Sequence, residues 1–276
     1  MASFLLLLSL FLPSLPPQRQ LILVAGQSNC TGHGDKTQSV AAGPAAFEYR
    51  GSTGTLVPLK DPVGEQVDHF EAAASGSAWP AFAQAWHAQT GDTVIIVPTS
   101  RGGSSCHEKA RLGAMDTWDN SGTLFAAAVA KTKAAMRATG LPLKCIIWVQ
   151  GERDANAIND GHLTTAEYKA ALQQVVHRFR EALGAQLPFY IVKTGYYANH
   201  SQAGFHEVQR IQSEVANADP YTKIVFEDAG TFLDKKWMTD EIHYNQTGLN
   251  TLGAAVARNI LQLTATPQNA THGKAK

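Results

Sequence analysis

Ser28, Asp240 and His243 are residues whose types and spacing can do covalent chemistry. Ser28 stands near the end of Leu21-Ile22-Leu23-Val24-Ala25-Gly26-Gln27-Ser28-Asn29, where an apolar run gives way abruptly to polar residues. Asp240 and His243, far downstream, are three apart, so a carboxylate and an imidazole can share one turn. A serine hydroxyl is a weak nucleophile until a base lies within hydrogen-bond reach and a third group orients that base. Together the three residues are the components of acyl transfer by an activated serine. Gly26 permits the tight turn that would expose the Ser28 oxygen. The Gly-x-Ser-x-Gly elbow does not fit, because position 30 is Cys and the serine follows the first strand. A helix N-cap is the other use of a lone serine at such a place.

Acyl transfer also needs donors aimed at the developing oxyanion. Gly102 and Gly103, followed by Ser104, offer backbone N–H groups, and Gln150 offers a side-chain amide. Glu152 and Asp154 lack a neighbouring His or third carboxylate, so they read as hydrogen-bonding groups that hold loops. No metal and no cofactor are expected.

The elements that must position these groups alternate along the chain. Short apolar strands are expected at 21–25, 93–98, 145–149, 189–193 and 223–226. Helices are expected at 77–90, 121–139, 165–183, 205–217 and 245–263. Thr164-Thr165-Ala166-Glu167 fits a capping box at the start of the third helix. Strands each followed by a helix predict an α/β fold, a three-layer α/β/α sandwich around a five-stranded parallel sheet. Ligands of such sheets bind at the carboxyl ends of the strands. The clusters at 26–29, 100–105, 150–154 and 240–243 all fall on that edge. Residues 31–76, rich in Gly, Ala, Pro and polar residues, read as a long insertion that shapes the substrate cleft.

The bulk numbers agree with one domain. A chain of 276 residues that is 44% hydrophobic can bury a real core. Lys+Arg and Asp+Glu are both 23, so no net field steers nucleic acid, and a neutral ligand is expected. Cys30, Cys106 and Cys145 have no metal-ligand spacing; they read as buried thiols or as a Cys30–Cys106 disulfide with one thiol left over. Residues 1–20 read as a possible signal peptide or N-terminal extension, 21–264 as the domain and 265–276 as a polar tail. The apolar stretch 1–13 is too short to span a bilayer as a helix. It makes a secreted or cell-envelope location the expectation, with the cytoplasm as the alternative because no Lys or Arg precedes it.

Four blocks in order resemble the SGNH (GDSL-like) hydrolase superfamily, and within it the sialate O-acetylesterase-like carbohydrate esterases of family six. They are Gly26-Gln27-Ser28-Asn29, Gly102-Gly103-Ser104, Trp148-Val149-Gln150-Gly151-Glu152-Arg153-Asp154, and Asp240-Glu241-Ile242-His243 followed by Gly248. The resemblance runs from Leu21 to about Leu263. It implies the flavodoxin-like SGNH fold, Ser28 as nucleophile, His243 as base and Asp240 as its orienter. It implies an oxyanion hole from the N–H groups of Ser28 and Gly103 with the Gln150 side chain. Gln27, Asn29, Gly102, Ser104, Glu152 and Asp154 are then supporting residues. Two departures bear on the substrate pocket: Ser105-Cys106-His107 stands where the family commonly has a Trp, and Arg153 replaces a small residue. The expected activity is removal of O-acetyl groups from carbohydrates, such as acetylated xylan or sialic acid, through an acyl-enzyme. A lipid-ester or thioester hydrolase on the same fold, or a catalytically silent carbohydrate-binding protein, are the alternatives.

Overall fold

The computed structural model describes residues 16–265. The expected leader therefore lies outside the described residues except for its last five, and the expected polar tail except for Ala265. In chain order the elements are β1 (Arg19–Gly26), α1 (Ser28–Thr31), β2 (Ala46–Arg50), β3 (Thr55–Pro58), α2 (Trp79–Thr90), β4 (Thr93–Ser100), α3 (Leu124–Thr139), β5 (Leu143–Val149), α4 (Glu152–Asn159), α5 (Thr165–Leu183), β6 (Phe189–Val192), α6 (Ala203–Asn217), β7 (Thr222–Phe226) and α7 (Gln246–Ala265).

The sheet corrects the expectation of five parallel strands. It has seven, in the order β3-β2-β4-β1-β5-β6-β7, and β2 pairs antiparallel with β3. Both extra strands come from the stretch read as an insertion. β2 runs parallel to β4, with Phe47 across from Ile95, and β3 caps the sheet edge. Two features hid them. β2 carries Glu48 at its centre, and β3 is four half-exposed residues ending in Pro58, which has no N–H to give a sheet ladder. Glu48 is fully buried, yet its Oε2 accepts from the Gly64 N–H at 2.8 Å and Arg50 pairs with its other oxygen. A charge that reads as loop is thus tolerated inside a strand because both of its oxygens are matched.

β1 lies at the centre, and its two faces feed two cores. Leu21, Leu23 and Ala25 pack with α3, α5 and α6, whereas Ile22 and Val24 pack with α2 and α7. The period of two in β1 therefore sorts side chains to opposite helical layers. α5 opens with the capping box expected of Thr164 and Glu167. Lys131 of α3 is buried and ties the β2–β3 segment down, donating to Pro98 O at 3.0 Å and pairing with Glu65 at 3.1 Å.

Register sets up the functional edge. Gly26 of β1 is level with Ser100 of β4 on one side and with Val149 of β5 on the other. The segments that follow, beginning at Gln27, Arg101 and Gln150, leave the sheet side by side. Gly26 has φ 150°, and a Cβ there would sit 2.0 Å from the Val149 carbonyl oxygen. Gly26→Ala should therefore destabilise the protein by more than about 3 kcal/mol, since backbone cannot yield to the added methyl. Urea unfolding of parent and variant measures this; a loss under 1 kcal/mol would show that the turn relaxes.

Candidate active site

Ser28 is the first residue of α1, a single turn in which the Gly32 N–H closes on Ser28 O at 2.8 Å. Gln27, not Ser28, occupies the N-cap position, and it makes no side-chain cap. The alternative reading of Ser28 as an N-cap therefore does not hold. Its side chain points instead at His243: Ser28 Oγ lies 3.0 Å from His243 Nε2. On the far side of the ring, His243 Nδ1 is 2.7 Å from Asp240 Oδ2. The carboxylate is itself fixed, because Asp240 Oδ1 accepts from the backbone N–H groups of Ile242 at 2.9 Å and His243 at 2.8 Å. Although its partial burial works the other way, the His243 hydrogen bond and these two N–H groups hold the Asp240 carboxyl below the usual carboxylate range. With Asp240 ionised, Nδ1 carries the proton and Nε2 is left to accept from the serine.

A second set of contacts holds the 239–244 loop against the strand-end segment. Asn29 donates to Glu152 Oε1 at 2.7 Å and to Ile242 O at 3.1 Å, and its Oδ1 accepts from Tyr244 N–H at 3.1 Å. Thr239 Oγ1 donates to His33 O at 3.0 Å. Glu152 is fully buried, and burial raises its proton affinity while the Asn29 amide opposes that.

On the other flank, Gly102 and Gly103 follow β4. A Cβ on Gly102 would lie 3.9 Å from Ser28 Cβ, so the glycine lets this loop approach the nucleophile. The Gly102 N–H donates to Glu71 Oε2 at 2.8 Å, and Arg101 pairs with the same carboxylate at 3.1 Å. Gly103 takes φ 68°, and its face is covered by Met115. Ser104 is buried and accepts from Trp118 Nε1 at 3.0 Å, which pins the loop to the core.

Gln150 is closed in rather than open. Its Nε2 faces Asp154 Oδ2 at 2.5 Å, Gln27 Oε1 at 3.2 Å and Ser104 O at 3.4 Å, and its Oε1 accepts from the Cys106 thiol at 3.1 Å. Three acceptors share two N–H bonds. An oxyanion must therefore take one of them over from the two longer partners. Gln27 Oε1 also receives the N–H groups of Gly151 and Arg153 at 3.2 and 3.3 Å, so Gln27 stitches β1 to the start of α4. Asp154, fully buried, gathers the N–H groups of Cys106 at 2.9 Å and His107 at 3.2 Å.

Every residue expected at the site thus converges on one edge. Sequence reasoning placed Arg101 in the 100–105 cluster on this edge but missed His33 and Glu71, whose placement depends on the turn after α1 and on the 59–76 segment folding back. The extra Cys106 and Cys30 are free, buried thiols, so no Cys30–Cys106 disulfide is present. Among the described residues no group of three or more His, Cys, Asp or Glu could hold a metal. Among the same residues no helix is long and apolar enough to cross a membrane.

Comparison with known proteins bears on the family and the fold. The sequence profile of the family described as "Carbohydrate esterase, sialic acid-specific acetylesterase" matches residues 18–262. No curated protein matches the sequence. Among solved structures, a protein of Arabidopsis thaliana superposes with a TM-score of 0.69 at 18% identity, covering 90% of this chain and 99% of that one. A carbohydrate acetylesterase of Xanthomonas citri superposes with a TM-score of 0.55 at 19% identity, covering 87% of this chain and 55% of that one. At these identities the two structures speak for the fold.

Burial pushes the Asp154 carboxyl up to about 6, against the pull of its three N–H donors. A raised folded-state value means the native state holds this proton more tightly than the unfolded chain. The associated stability is full below the unfolded value and lost as pH rises through about 6. Asp154→Asn has no such proton. The stability difference between variant and parent should therefore move in favour of the variant by about 2 kcal/mol between pH 4 and pH 7. Urea unfolding at a series of pH values checks this, and a difference independent of pH would place the proton elsewhere.

Proposed function

From the premise that the chain belongs to the carbohydrate esterase, sialic acid-specific acetylesterase family, we propose that Ser28, His243 and Asp240 carry its reaction. The chain is an esterase that acts on acetylated carbohydrates. The observation that carries the residue roles is the unbroken row from Asp240 Oδ2 through His243 to Ser28 Oγ, with links of 2.7 and 3.0 Å.

Ser28 Oγ attacks the acetyl carbonyl carbon while His243 Nε2 takes the hydroxyl proton. Asp240 keeps Nδ1 protonated and offsets the imidazolium charge. The carbonyl oxygen becomes an oxyanion beside Ser28 N–H, Gly103 N–H and the Gln150 amide, which turns to it from Gln27 or Ser104. Collapse of the tetrahedral species breaks the bond to the sugar oxygen, and His243 returns the proton to that oxygen. Water, deprotonated by His243, then releases acetate and restores Ser28.

The finer reading of substrate is an acetylated xylan-type polysaccharide or an acetylated sialic acid. The Xanthomonas citri carbohydrate acetylesterase of the same fold supports acetyl as the acyl group transferred to Ser28. Glu71 and Arg101, paired at the mouth, offer fixed polar groups for sugar hydroxyls. The described domain from Arg19 through α7 holds all of the groups used here.

Ser28→Ala should lower turnover of 4-nitrophenyl acetate by roughly four to six orders of magnitude with unfolding unchanged. A fluorophosphonate should label the parent and leave the variant unlabelled. Gln150→Ala should cost about two to three orders of magnitude in kcat. A Ser28→Ala protein that kept a tenth of the activity would remove Ser28 as nucleophile, and faster turnover of long-chain esters than of acetyl esters would remove acetyl as the preferred acyl group.

A further inference from the structure

A second imidazole stands beside the base, outside the row just described. The His33 ring lies flat on the His243 ring, with centroids 3.9 Å apart and planes 8° from parallel. His33 is half-buried, and its backbone is fixed on three sides. Before it, Gly32 takes φ 109°, and a Cβ there would sit 2.5 Å from Gly76 O, so this turn belongs to glycine. After it, Gly34 and Gly76 exchange two backbone hydrogen bonds of 2.9 and 3.0 Å. Its own carbonyl accepts from Thr239 Oγ1 at 3.0 Å, and Thr239 N–H in turn donates to His243 O at 2.7 Å. The segment that carries the serine is thereby clamped, at His33, to the loop that carries the base.

We propose that His33 is a positioning residue for the esterase reaction: its ring covers one face of His243 and keeps Nε2 on the line to Ser28 while the proton moves. The proposal rests on the reading of His243 as base. Asp240 holds one edge of that imidazole through a single hydrogen bond, which by itself leaves the ring free to rotate about that bond. The His243 side chain is 20% exposed and sits on a loop, so no helix or strand backbone fixes its direction. A flat partner at 3.9 Å removes that rotation. Reactions of this kind are sensitive to such displacements, since an error of about 1 Å costs on the order of a hundredfold.

The stack works with His33 neutral. Its ring face then lies against an imidazolium during turnover, whereas a charged ring there would repel it. The charged and titratable groups that face His33 are His243 and Asp240 on the base loop and Glu71, itself paired with Arg101. His243 also interacts electrostatically with the buried Glu152 of α4. Burial first, and His243 second, lower the proton affinity of His33, and they outweigh Asp240 and Glu71, which raise it.

The test compares His33→Ala, which deletes the ring, with His33→Phe, which keeps a flat face and removes both nitrogens. With 4-nitrophenyl acetate at pH 8, His33→Ala should lower kcat by about tenfold to a hundredfold with KM within about twofold. His33→Phe should restore kcat to within about threefold of the parent. In the His243→Ala protein the NMR titration of His33 should move to higher pH, because a neighbouring cause of its lowered affinity is gone. Unchanged kcat in His33→Ala overturns the proposal. Equal losses in both variants overturn it as well, because a ring nitrogen would then be doing the work. So does a rise in KM at constant kcat, which would make His33 a substrate contact. If Ser28→Ala and His243→Ala both stay active, the underlying mechanism has failed instead, and the His33 comparison distinguishes the two.

Discussion

Gly26 lies across from Ser100 on one side and Val149 on the other, so three parallel strands end level with one another. The site hangs from that edge. Because a Cβ at Gly26 would meet the Val149 carbonyl at 2.0 Å, β1 and β5 approach more closely there than side chains allow. The approach lets Gln27 N–H reach Val149 O at 3.0 Å and brings the Gln27 carboxamide within reach of Gln150, Gly151 and Arg153. Ser28 inherits its place from this seam. A hydroxyl on a surface loop would not hold a 3.0 Å contact to a base that arrives from the other end of the chain.

Buried carboxylates and carboxamides, rather than apolar packing, orient what the seam brings together. Glu152 and Asp154 sit in the first turn of α4, where the exposed N–H groups of a helix favour negative charge. From there Glu152 holds Asn29, and Asn29 holds both sides of the base loop. Asp154 holds Gln150 and the Cys106–His107 backbone. Such a network is costly to bury and must be satisfied to be tolerated. In return it fixes amide orientations: Oε1 of Gln150 meets a thiol donor, and Nε2 meets three acceptors.

The 31–76 stretch shows how far a loop reading can mislead. It supplies an edge hairpin to the sheet, and it also supplies Glu71, which binds the Gly102 N–H beside Ser28. The Lys131–Glu65 pair ties this segment to α3 and β4 across a distance in sequence that no local pattern encodes. A segment rich in Gly, Ala and polar residues that reads as one insertion thus contributes both two strands of the sheet and a side chain beside Ser28.

Local pattern in the sequence was sufficient for the central strands, for the capping box of α5, and for the ordered blocks around Ser28, Gly103, Gln150 and His243. Each of these is short-range: an unbroken apolar run in a strand, a cap three residues from its partner, an acid three residues from an imidazole. Tertiary structure alone decided the rest. It placed Glu48 in a strand, because Arg50 and Gly64 match its charge. It turned Gln150 toward Asp154, Gln27 and Ser104. It laid His33 flat on His243, because Thr239 and Gly76 hold the turn between them. In each of these cases at least one deciding partner, such as Gly64, Gln27, Ser104 or Thr239, comes from another segment of the chain. An interaction whose energy depends on the relative placement of two separate segments leaves no periodic trace in either one.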